Sequence, residues 1–227
     1  MACAAACNFD AIHETMGVAK LDSHACEGCG ACALVCSAHA VQMRDVDIGS
    51  LFRAQWAGGP LIHARLDPGG ENSGSLVAAV RAAARQAAGE QGIERILIDG
   101  PPGIGCPTIS AASGVSRILA VTEPGPSAAH DVQRLFDLAA HFKVPVAAVV
   151  NRCDLDSNAA QRLDAEITAR GVPILAHLPR HSAWTAAQRA GVSAVTHHPA
   201  LAAQLRKLWQ DLCHGPAAVP LSESTVL

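Results

Sequence analysis

The chain has 227 residues, half of them apolar and 16% charged, a balance that excludes intrinsic disorder and allows one globular domain plus a small module. Its 17 Lys and Arg against 20 Asp and Glu give a net charge of −3, without the basic excess of a dedicated polyanion binder. Aromatic residues make up 3%, too few for a stacking platform on single-stranded nucleic acid. No apolar run approaches a membrane span, and Met1–Asp10 has no positive leader, so a cytoplasmic protein with no membrane span and no nucleic-acid partner is expected. Three zones follow one another: residues 1–45, 46–214 and 215–227.

The first zone is defined by cysteine. Six of the nine Cys lie within the first 36 residues, crowding that reads as a metal site in a reducing compartment and not as a disulfide framework. Cys26, Cys29, Cys32 and Cys36 follow C-x-x-C-x-x-C-x-x-x-C. In such a run three thiolates wrap one face of a cubane and the fourth is aimed at a second cluster. Gly28 and Gly30 supply the small residues that let backbone approach the sulfurs. Zinc is the rival metal, but structural zinc sites use two separated pairs.

Cys3 and Cys7 repeat the spacing of the third and fourth cysteines, and Cys7-Asn-Phe-Asp-Ala-Ile parallels Cys36-Ser-Ala-His-Ala-Val. The zone therefore reads as a duplicated ferredoxin half whose first copy is cut short. Crossed ligation assigns Cys7, Cys26, Cys29 and Cys32 to one 4Fe–4S cluster. Cys3 and Cys36 belong to a second cluster, whose other two ligands the sequence lacks. Asn8 and Ser37 stand where a Pro often follows the fourth Cys.

The second zone has an α/β rhythm. Pro60–Leu66 reads as a strand, followed by a Gly-rich loop over Asp67–Gly74 and a helix over Ser75–Gly89 that Ser73 is placed to cap. Arg95–Asp99 is a short apolar strand ending in an acid, then the turn Gly100-Pro101-Pro102-Gly103. Strands are expected at Arg117–Thr122, Val144–Asn151 and Pro173–Leu178, and helices at Ser127–Phe142, Asn158–Arg170 and His198–Cys213. Near-continuous apolar strands alternating with helices imply a parallel sheet covered on both faces, with ligands at the carboxyl ends of the strands. Cys106 sits in a Gly/Pro loop as a filler or a ligand contact, and Cys153 and Cys213 read as packing thiols. The Pro-bearing tail from Gly215 is expected to be disordered.

Four stretches taken together resemble the MinD/ParA/Mrp-like P-loop ATPases that carry an inserted ferredoxin domain. They are the Cys set, DGPPGIGCP (Asp99–Pro107), VTEPGPSAAHD (Val121–Asp131) and VVNRCD (Val149–Asp154), in the family's order. PGGENSGSLV (Pro68–Val77) is similar to a fifth stretch. The resemblance implies a parallel-sheet P-loop NTPase fold of the MinD kind, with residues 1–45 as an Fe–S module and 46–214 as the nucleotide-binding domain. Asp99 would be the Mg²⁺-linked acid and Pro101–Gly103, including Pro102 and Gly103, the turn that senses the γ-phosphate. Asn151 would read the adenine edge of ATP, with capping of a strand end as its plainer role, and Pro179 and Arg180 would lie near the base. His181 stands where relatives often have an acid.

The family's phosphate loop needs a Gly-rich turn and a Lys, yet none of Lys20, Lys143 and Lys207 follows a Gly, and no G-K-[ST] occurs. The resemblance thus implies an N-terminally truncated member lacking its first strand, the central one between Ile96–Asp99 and Ile118–Thr122. The intact protein would be an ATPase acting as a homodimer or paralogue heterodimer, coupling nucleotide state to a redox or Fe–S partner. A ferredoxin-type electron carrier without enzymatic activity, or a non-functional remnant, are the alternatives. No catalytic residue is assigned.

Overall fold

The computed structural model describes residues 1–47, 49–56, 58–68, 70 and 74–214. Half of the Gly-rich loop, Ser73 included, and the tail from Gly215 lie outside these residues. The chain divides into two compact units between Ile98 and Asp99. Its architecture is mixed α/β.

The first unit opens with a one-turn helix, α1 (Ala2–Ala5), then the antiparallel pair β1 (Ile12–Thr15) and β2 (Val18–Leu21), then a second one-turn helix, α2 (Ala31–Leu34). A longer antiparallel hairpin follows, β3 (Gly49–Trp56) with β4 (Gly59–Leu66), and the helix α3 (Ser75–Gln91) packs on β4. Gly49 is required where the hairpin opens: a Cβ there would stand 2.5 Å from the Arg65 carbonyl oxygen. Arg53 reaches from β3 to Gln86 at 3.2 Å and Glu90 at 3.8 Å on α3. The helix ends at Gly92, whose φ of 64° is the left-handed turn of a C-cap.

The second unit holds the parallel sheet. After the short helix α4 (Cys106–Ala112) come β5 (Ile118–Thr122), α5 (Pro126–His141), β6 (Val146–Asn151), α6 (Ser157–Ala169) and β7 (Ile174–Leu178). The strands pair in the order β5-β6-β7, all parallel. Three helices close the described chain: α7 (Ser182–Arg189), α8 (Ala194–His197) and α9 (Pro199–His214).

Every residue of β6 from Val146 to Val150 is buried, which is why that strand is a continuous apolar run without alternation. Val146, Ala148 and Val150 meet Val132, Phe136 and Ala139 of α5 and Leu163 and Ile167 of α6 in one core. Both helices present these residues at i, i+3/i+4, i+7 spacing. Asp156 caps α6, accepting the Ala159 N–H at 2.9 Å. On α9, Gln204 donates to the His177 carbonyl of β7 at 3.1 Å and Leu212 O accepts from Arg117 beside β5, tying this helix to both outer strands.

Two expectations are corrected. Arg95–Asp99 is not a strand: residues 93–100 have no regular structure, and Leu97 is 78% exposed. An apolar run forms a strand only where a ladder partner takes up its N–H and C=O groups, and among the described residues none does. Pro60–Leu66 is a strand, but it belongs to the antiparallel β3–β4 hairpin and not to the parallel sheet. The parallel sheet is three strands wide.

Candidate functional site

The cysteine-bearing segments repeat in three dimensions as they do in sequence. From position 3 to 32 and from 7 to 36 the offset is 29 residues. The same offset relates α1 to α2, and the two helices pack together. Each ends in a residue with φ −88°, Ala6 and Val35. Each is followed by a cysteine whose N–H donates back into the turn, Cys7 to Ala4 O at 3.2 Å and Cys36 to Ala33 O at 3.4 Å. Three residues on, Asp10 and His39 both adopt a left-handed φ, of 50° and 49°. The chain thereby folds back so that the next N–H points at sulfur: Ala11 N donates to Cys7 Sγ at 3.4 Å and Ala40 N to Cys36 Sγ at 3.3 Å.

Between Cys26 and Cys32 the backbone turns at Gly28 and Gly30, with φ of 62° and 76°, a conformation that glycine adopts without strain. All nine thiols are free. Cys26 and Cys29 are exposed, and Cys3, Cys7, Cys32 and Cys36 are half-buried. Among the described residues, no three His, Cys, Asp or Glu side chains form a group that could hold a metal ion. Ala11 differs from Ala40 in two respects: it is buried, and its carbonyl accepts the Asp22 N–H at 2.8 Å.

In the second unit the carboxyl ends of the three parallel strands gather a set of polar residues, as such sheets do. Asn151 ends β6 half-buried, and its side-chain amide makes no hydrogen bond among the described residues. Beside it Glu123, after β5, pairs with Arg152 at 3.3 Å. Asp154 accepts from the Arg180 backbone N–H at 2.8 Å and from Arg180 Nε at 3.1 Å. The Arg180 backbone N–H, then the guanidinium, holds the Asp154 carboxyl below its ordinary pKa. Arg180 is therefore committed to a clamp between the loops after β6 and β7, and Pro179 precedes it on the exposed surface. His181 occupies the N-cap of α7, accepting the Ala183 N–H at 3.0 Å, in place of an acid.

Asp99, Pro102 and Gly103 are exposed, and Asp99 makes no hydrogen bond or ion pair among the described residues. Gly103 has φ 79° in the turn before α4. Cys106 is exposed at the start of α4, while Cys153 packs against the core of the sheet. His177 and His181 have the spacing H-x-x-x-H but serve separate contacts, His177 Nε2 lying 3.0 Å from Asp164.

Sequence reasoning missed the Asp154–Arg180 clamp, the Glu123–Arg152 pair and Asp22. Asp22 could have been found, since Asp two residues before a loop N–H is the signature of an Asx turn. The two ion pairs leave no local signal, because their partners lie in loops that follow different strands.

A mixed α/β protein with a three-stranded parallel sheet and a cysteine-bearing N-terminal unit is the class that fold and site define. No family model matches the chain, and no solved structure does. The chain is similar to uncharacterized protein MJ0578 of Methanocaldococcus jannaschii, 36% identical over 150 residues, which are 66% of this chain and 51% of that protein. It is also similar to uncharacterized protein MJ0579 of the same organism, 23% identical over 127 residues, which are 56% of this chain and 45% of that protein. The chain thus spans about half the length of the curated relatives it matches. Among the described residues, no helix is long and apolar enough to cross a membrane.

Proposed function

We propose that this chain is the iron–sulfur and nucleotide-responsive part of a cytoplasmic MinD-like P-loop ATPase, with one 4Fe–4S cluster on Cys7, Cys26, Cys29 and Cys32. The observation that carries this is the 29-residue repeat, in which two one-turn helices each deliver a cysteine whose sulfur accepts the N–H four residues on. Hydrogen bonds to the ligand sulfurs are among the terms that set cluster potential. In a cubane each thiolate binds its own iron, so the ligands need not converge on one point. The free thiols and the turns at Gly28 and Gly30 fit that group. When bound, the cluster supplies one-electron transfer. Cys3 and Cys36 supply two of the four ligands of a second cluster.

At the strand ends, the Asn151 amide, without a hydrogen bond among the described residues, suits the donor and acceptor edge of adenine, with Pro179 beside the base. Asp99 suits a Mg²⁺-linked acid, with Pro102 and Gly103 as the turn after it. Arg180 acts by holding Asp154, and so fixes the loop that carries Pro179. ATP hydrolysis belongs to the intact protein, as a homodimer or with a paralogue, and drives a redox or Fe–S partner. The alternative, an electron carrier whose α/β unit only docks partners, is favoured by one fact: the sequence has no Gly-Lys phosphate loop.

Anaerobic reconstitution of the full chain with ferrous iron and sulfide is the deciding experiment. One stable cluster per chain is expected, with broad charge-transfer absorption in the visible, and Cys29→Ser should abolish it. Stoichiometric zinc without that absorption, or two complete cubanes per chain, would contradict the assignment.

A further inference from the structure

We propose that Asp22 is a positioning residue that holds the Cys26–Cys32 ligand loop in register with Cys7, through a hydrogen-bonded chain running from the Cys7 sulfur to the start of that loop. The inference rests on the cluster assignment above.

The two parts of the ligand set come from opposite sides of the β1–β2 hairpin, so something must fix their separation before a cluster can be held. The chain of bonds is continuous. Cys7 Sγ accepts from Ala11 N at 3.4 Å. Ala11 O accepts from Asp22 N at 2.8 Å, across the open end of the hairpin. The Asp22 carboxylate then accepts from His24 N at 2.9 Å, two residues before Cys26. The His24 backbone N–H, as the leading cause, keeps the Asp22 carboxyl below its ordinary pKa. The His24 ring stands 3.6 Å from the same oxygen. Ala11, the middle link, is 1% exposed, which shields its own two bonds from competing water, while the Asp22–His24 bond lies at the surface.

The other half of the repeat lacks this device. Ala40 N donates to Cys36 Sγ as Ala11 N does to Cys7 Sγ, but Ala40 is exposed and its carbonyl accepts no hydrogen bond among the described residues. The asymmetry favours the site on Cys7, Cys26, Cys29 and Cys32 as the one that retains its cluster. Groups behind metal ligands that orient them change metal affinity by about 10–100-fold when removed.

The test uses the full chain reconstituted anaerobically with iron and sulfide, then challenged with a ferrous chelator. Asp22→Ala should release iron about tenfold faster than wild type and shift the reduced cluster's electron paramagnetic resonance spectrum, with unchanged far-ultraviolet circular dichroism. Asp22→Asn keeps an oxygen acceptor and should release iron within about twofold of wild type. Equal release rates and identical spectra for wild type and Asp22→Ala would overturn the role of Asp22 while leaving the cluster in place. Equal loss in Asp22→Asn would overturn the hydrogen-bond role. Failure of the wild type to take up iron and sulfide would overturn the cluster assignment and the role of Asp22 with it.

Discussion

At the residue scale, the clamp between Asp154 and Arg180 is the polar contact that ties the loop after β6 to the loop after β7. Both groups are exposed, so the pair is screened by solvent and its effect on stability is small. Its sign with pH is fixed by linkage. The folded pKa of Asp154 is depressed, so its contribution is complete above the unfolded aspartate value of about 3.9 and is lost as pH falls through the folded value. Asp154→Ala should therefore melt below wild type by a constant margin above about pH 5, and the margin should close as the pH is lowered past 3.9. Thermal melts of both proteins across this range check it. A margin that persists unchanged in strong acid would show that the residue acts through packing and not through its charge.

At the scale of the element, β5 is one of the two edge strands of the parallel sheet. Its neighbour β6 is buried along its length, whereas Val121 of β5 is 63% exposed. Among the described residues only β6 pairs with β5, which leaves a row of N–H and C=O groups along an apolar edge. Such an edge templates pairing with other chains. Val121→Lys places a charge there without removing a core contact. It should lower concentration-dependent association, measured by light scattering, with a stability change within about 0.5 kcal/mol. Association unaffected by the lysine would locate the sticky surface elsewhere.

At the scale of the whole molecule, the chain has Asp99, the acid that the proposed reading links to Mg²⁺, but no Gly-Lys loop to neutralise phosphates. Charge that develops on a transferring phosphoryl group would go unmatched, and that electrostatic term dominates this chemistry. The purified chain should show no Mg²⁺-dependent ATP hydrolysis above background. Turnover in the wild type that disappears in Asp99→Ala would refute this.

The sequence by itself determined what depends on neighbours in the chain. The spacing of the thiols at i, i+3, i+6 and i+10 is local and is the basis of the proposed cluster, and the 29-residue echo of Cys3 and Cys7 was legible because helix and cap are built within nine residues. The helices expected over Ser127–Phe142 and Asn158–Arg170 and the strand over Val144–Asn151 were likewise legible to within two residues at each end, because burial imprints its period on the residues. Tertiary structure decided everything that needs a distant partner. Gly49–Trp56 became a strand only against Gly59–Leu66, and the pattern of Pro60–Leu66 could not say whether its neighbour was parallel or antiparallel. Ile96–Asp99 had the composition of a strand and formed none, since a ladder requires a second chain segment at its side. Asp154 met Arg180 across 26 residues, and Asp22 met Ala11 around a hairpin, because hydrogen bonds are short and only folding brings such groups within 3 Å.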